Sequence, residues 1–101
     1  MKKTFFATII VFFFRINAFE ISEIDKGIFV HYGIQQDSNK NNAGDIANIG
    51  FIIGKKSILV VDTGGTPIIG QKLLQKIKEI SNLPISHVVI THSHPDHFFG
   101  T

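Results

Sequence analysis

Residues 88–101 read V-V-I-T-H-S-H-P-D-H-F-F-G-T, and this stretch limits what the chain can become more than any other. The β-branched and aliphatic residues Val88, Val89, Ile90 and Thr91 read as the end of a strand that begins near Ile85. The strand delivers His92, His94, Asp96 and His97 within six positions. Side chains two apart on an extended segment share a face, so His92 and His94 project together if the strand continues that far. Pro95 cannot donate to a ladder and is expected to end the strand, leaving Asp96 and His97 on the turn that follows. Imidazole nitrogen and carboxylate oxygen are the donors that zinc prefers. A chance polar loop is the competing reading. Three imidazoles this close gain little by packing together and repel when protonated, which favours metal ligation.

The chain upstream supplies a sheet and a helix to carry that loop. Residues 28–34 and 47–53 read as strands, and Gly54-Lys55-Lys56-Ser57 as the turn of a hairpin leading to a third strand over 58–61. The unbroken apolar run Ile58-Leu59-Val60-Val61 implies a strand covered on both faces. Thr66 and Pro67 form a helix start, N-cap then first position. Ile69, Leu73, Ile77 and Ile80 recur at helical spacing with Leu74 beside them, while the lysines of that segment form a solvated face. Residues 81–84 end the helix. A strand–helix–strand unit of this kind implies a parallel pair whose carboxyl ends open on one edge of the sheet. Asp62, at the end of the 58–61 strand, is thereby expected near His92. Its carboxylate needs partners, either the backbone of the Thr63-Gly64-Gly65 turn or a metal ligand that it orients. The expected class is α/β (α+β), a mixed sheet with one crossover helix.

Residues 91–97, T-H-S-H-P-D-H, match the H-x-H-x-D-H signature and resemble the metallo-β-lactamase superfamily of zinc hydrolases. Asn48-Ile49-Gly50-Phe51-Ile52 and the run Ile58 through Gly64 resemble that family's first strands and buried aspartate, so the resemblance extends over residues 28–101. It implies the N-terminal half of an αββα sandwich, incomplete as it stands. It also implies His92 and His94 on a first zinc and Asp96 and His97 on a second, with two further histidines and a bridging aspartate beyond Thr101. Asp62 is implied to support the site rather than to ligate. Zinc, one or two ions per complete domain, is the expected cofactor. Four donors in six residues cannot all reach one tetrahedral ion comfortably, which favours two sites.

The expected reaction is hydrolysis, with metal-activated hydroxide attacking an ester, thioester, lactone or β-lactam amide bond of a small-molecule substrate. With one metal only, Asp96 is the candidate catalytic residue, a general base taking the water's proton. The residues present supply part of each site, so this stretch alone is expected to bind metal weakly and to be inactive. The alternatives are a non-catalytic histidine-rich metal-binding segment of an exported protein, and a fragment with no function of its own.

Residues 1–18 resemble a secretory signal peptide: Lys2-Lys3, an apolar run over 5–14, and Ala18 as a small residue for cleavage. Arg15 and Ile16 are unusual there, and an uncleaved anchor or an ordinary strand are the other readings. The apolar run falls short of the ~20 residues that span a bilayer. Export to the periplasm or medium is expected, with the domain over 19–101. Setting Lys2, Lys3 and Arg15 aside from ten basic residues leaves seven against eight acidic ones, a net charge of −1 that gives no electrostatic case for nucleic acid. With no cysteine, any metal must be held by histidine and carboxylate. Gly64-Gly65 fits neither nucleotide-binding glycine pattern. His31 reads as a half-exposed strand residue, and polar residues 35–45 as a loop, either a solvated connection or one that reaches substrate.

Overall fold

Cross-strand pairing of the aromatic and aliphatic runs builds one sheet, described for residues 19–101 in a computed structural model. Its strands are β1 (Ser22–Asp25), β2 (Ile28–His31), β3 (Ile49–Ile53), β4 (Ile58–Val61) and β5 (Ile85–Val89), hydrogen-bonded in that order. The first four strands form antiparallel pairs. β4 and β5 run parallel, joined through helix α1 (Pro67–Ile80). A four-residue helix α2 (Pro95–Phe98) follows. The mixed sheet and its crossover helix are those expected from the sequence. The leader assigned to residues 1–18 lies outside the described residues. Among the described residues no helix is long and apolar enough to cross a membrane.

The core lies between the sheet and α1. Phe29, Ile49, Phe51, Ile58 and Val60 from β2, β3 and β4 close on Ile69, Leu73 and Ile77 of the helix. Phe29 and Phe51 are direct cross-strand partners, their rings stacked at 4.8 Å. Thr66 caps α1 through a bond from the Ile69 amide at 3.4 Å, and Pro67 opens the helix. The apolar stripe is shorter than expected, because Ile80 in the last turn and Leu74 beside the stripe are exposed. The 58–61 strand is covered on one face only: Ile58 and Val60 are buried, while Leu59 and Val61 are half-buried.

Strand ends differ from the sequence expectation because side chains intercept the ladder. β2 stops at His31 rather than at Ile34, since the Gly33 amide donates to the Asn48 side chain and Ile34 to the Asp45 carbonyl. β5 stops at Val89, and just beyond it Asp62 takes over the chain's hydrogen bonding. The Val89 carbonyl accepts the Asp62 amide, and the Thr91 amide donates to the Asp62 carboxylate.

His31 is buried, not half-exposed. Its ring stacks on Phe19 at 3.7 Å, with Nδ1 2.7 Å from the Glu20 carbonyl oxygen and Nε2 2.6 Å from Asp45 Oδ1. The residues entering β1 and the 35–45 loop are therefore fastened to the same imidazole. That loop is ordered by its asparagines: Asn42 Oδ1 accepts the Asn39 and Gly44 amides, and Asn39 Oδ1 accepts those of Asn41 and Asn42. Its Ala43 carbonyl takes the Thr66 hydroxyl at 2.6 Å, which anchors it on the start of α1. Replacing Asp45→Ala would strip His31 Nε2 of its acceptor inside the fold. Such a loss is expected to cost about 1–3 kcal/mol, read as a lower urea midpoint of the full-length protein.

Candidate functional site

The parallel pairing of β4 and β5 places the carboxyl ends of both strands side by side, and a carboxylate joins them. Asp62 follows β4 with a left-handed backbone, φ 57°, a conformation that aspartate tolerates better than most residues. Its side chain is buried and turns towards the end of β5. Oδ1 accepts the Thr91 amide at 2.8 Å, and Oδ2 accepts the Thr91 hydroxyl at 2.7 Å. Oδ2 also lies 2.7 Å from His97 Nδ1. Of the two roles expected for Asp62, bracing the turn that follows it has no counterpart in these bonds. Its partners are the end of β5 and an imidazole of the histidine cluster, and not the amides of the Thr63-Gly64-Gly65 turn.

Pro95 opens helix α2 and does not simply end a strand, so Asp96 and His97 stand on its single turn, with His94 at the N-cap position. His92 and His94 lie on irregular chain beyond β5, both exposed, yet their rings meet edge to face at 4.7 Å. The His92 and His97 rings are 4.0 Å apart. His97 Nε2 is 3.4 Å from Asp96 Oδ2. His92 Nδ1 contacts the Thr91 hydroxyl at 2.8 Å. The cluster read from the sequence is thus one patch at the sheet edge. His31 and His87 stand apart from it, the latter bonded to Ser86 on β5. The sequence marks Thr91 only as a strand residue. Its bonds to Asp62 and His92 join the site, and no local pattern announces them.

The donor chemistry suits a divalent ion. His97 has Nδ1 committed to a carboxylate, the arrangement that aims the other ring nitrogen outward as a ligand. Among the described residues no three histidine, aspartate or glutamate side chains are arranged to share one ion. By donor type, and by the carboxylate behind the His97 ring, the patch fits zinc.

Short backbone bonds hold α2 in place. The Thr63 amide donates to the His97 carbonyl and the Gly100 amide to the Gly64 carbonyl, at 2.9 and 3.0 Å. The approach is tight enough that a Cβ at Gly70 would meet the Gly100 carbonyl, and a Cβ at Gly100 the Thr63 carbonyl. Glycine is required at both positions by this contact between α1, the 62–64 turn and the chain just after α2.

Burial pushes the Asp62 carboxyl up, but the Thr91 amide, the His97 ring and the Thr91 hydroxyl outweigh it and hold it below 3.8. A depressed carboxyl stabilises the fold above its unfolded value of about 3.9 and loses that contribution as pH falls through the folded value. Asp62→Asn is therefore expected to lower stability at neutral pH. Its deficit relative to the unaltered protein should shrink as pH drops below about 4, followed by urea melts of the full-length protein across that range.

Residues 43–101, more than half of the chain, match the Metallo-beta-lactamase superfamily. The chain is 40% identical over 50 residues to a linear primary-alkylsulfatase of a Pseudomonas species, covering 50% of this chain and 10% of that protein. Its fold is similar to the solved structure of TMB-1, at a TM-score of 0.62 and 25% identity, covering 80% of this chain and 36% of that one. The chain thus spans about a tenth of the alkylsulfatase and about a third of TMB-1. The mixed sheet and its crossover helix agree with these matches, and the chain belongs to the metallo-β-lactamase superfamily.

Proposed function

We propose that this chain provides the first metal donors of a zinc-dependent hydrolase acting on a small molecule with an ester-like bond. The observation that carries the reading is the patch of His92, His94, Asp96 and His97, backed by the Asp62–His97 bond at 2.7 Å. His92 and His94 would hold one ion, and Asp96 with His97 a second, each ion completed by residues beyond this stretch. When bound, zinc would supply Lewis acidity, drawing the pKa of a coordinated water far down, towards about 7.

The chain's own residues then have distinct work. Asp62 keeps a hydrogen on His97 Nδ1 and so turns the Nε2 edge away from itself. Asp96 stands half-buried in the first turn of α2, where its carboxylate would serve as the general base for the attacking water were a single ion held there. The exposed rings of His92 and His94 leave this edge of the sheet open to a substrate.

For substrate, ester, thioester, lactone and β-lactam amide bonds remain in view. The alkylsulfatase relative adds sulfate esters of linear alcohols as the first class to try. The leader-like residues 1–18 support export, which suits a periplasmic or secreted hydrolase. In the full-length protein, His92→Ala and His94→Ala are each expected to cut zinc content, by elemental analysis, and turnover of the preferred substrate by at least about 100-fold. Full turnover by either variant, or by protein stripped of metal, would remove the proposed roles.

A further inference from the structure

Thr91 has three polar contacts and one hydroxyl hydrogen, and the count decides which way each contact runs. Its amide donates to Asp62 Oδ1 at 2.8 Å. Its Oγ1 is 2.7 Å from Asp62 Oδ2 and 2.8 Å from His92 Nδ1. A carboxylate only accepts, so the hydroxyl hydrogen points at Asp62. What Oγ1 then offers His92 is a lone pair, and a hydrogen bond at that distance requires the hydrogen to sit on Nδ1. His97 meets the same carboxylate directly, through its own Nδ1. One buried carboxylate thereby confronts both imidazoles, one directly and one through a hydroxyl.

We propose that Thr91 is a positioning residue that relays the Asp62 carboxylate to His92, fixing the hydrogen on Nδ1 and leaving Nε2 bare. Neutral imidazole in water prefers the opposite tautomer, with its hydrogen on Nε2, so the relay changes which nitrogen is free to ligate. Threonine suits the task because branching at Cβ stiffens χ1, and its amide bond to Oδ1 pins the backbone on the same carboxylate. The consequence for metal binding rests on the function proposed above. The tautomer does not, since it belongs to the metal-free protein.

The test uses metal-free full-length protein with 15N-labelled histidine, at about pH 8, where an ordinary histidine is neutral. Long-range 1H–15N correlations, assigned by loss of the signal in His92→Gln, report which nitrogen of His92 carries the hydrogen. The expected result is Nδ1–H in the unaltered protein. Thr91→Val keeps the shape, removes the hydroxyl, and should shift His92 towards Nε2–H. It should also weaken zinc binding about 10-fold or more, by competition with a chromophoric chelator. Thr91→Ser restores the hydroxyl and should recover both. A hydrogen on Nε2 in the unaltered protein overturns the inference whether or not zinc binds, and that spectrum needs no variant to fold. An unchanged tautomer in folded Thr91→Val overturns it equally. Loss of zinc affinity in His92→Gln, measured on the same samples, tests the metal reading separately.

Discussion

The carboxylate of Asp62 is the interaction on which the rest of the site depends. It is nearly inaccessible to solvent, on a backbone turned to positive φ, and every hydrogen bond it accepts comes from chain some thirty residues away. A buried charge in such a place is tolerated only because its oxygens are saturated. The donors that saturate it are the amide and hydroxyl at the end of β5 and the ring on α2. Desolvating one carboxylate therefore obliges two segments to meet, and the segments that meet are those bearing the histidines. The strained backbone at Asp62 persists because the partners over-determine it.

The elements that could be read from the sequence are those whose causes are local. Thr66-Pro67 and the spacing of Ile69, Leu73 and Ile77 specify the start and buried face of α1 without reference to anything else. The aliphatic run over 58–61 and the Gly54–Ser57 turn specify β4 and its hairpin in the same way. The strand ends resisted because distant side chains set them: Asn48 intercepts Gly33 from 15 positions away, and Asp62 intercepts Thr91 from 29. The burial of His31 escapes the local pattern for the same reason. Its burial depends on Phe19, on the Glu20 carbonyl 11 positions away and on Asp45 14 away, and no periodicity within β2 encodes them. The identity of the donors was plain in T-H-S-H-P-D-H, because ligand chemistry lives in residue type. Their mutual arrangement was not, because Pro95 opens a helix here where a strand end was expected.

That short helix raises the question of what holds Asp96 and His97 in place. Four residues cannot stabilise a helix by themselves, since nucleation costs more than one turn returns. α2 buries no residue of its own. Its rigidity is borrowed instead. The 62–64 turn gives and takes backbone bonds at His97 and Gly100, and Gly70 of α1 admits the Gly100 backbone at a distance that no side chain would allow. The same turn is braced from behind, for Gly44 packs on Gly65, and Ala43 holds the Thr66 hydroxyl. His31 and Asp45 then tie that loop to the sheet. A continuous path of hydrogen bonds and close backbone contacts runs from Glu20 to His97, and it is made of residues that a ligand motif does not contain. The histidine cluster of this chain is therefore positioned by the loops around it as well as by the strand that leads into it.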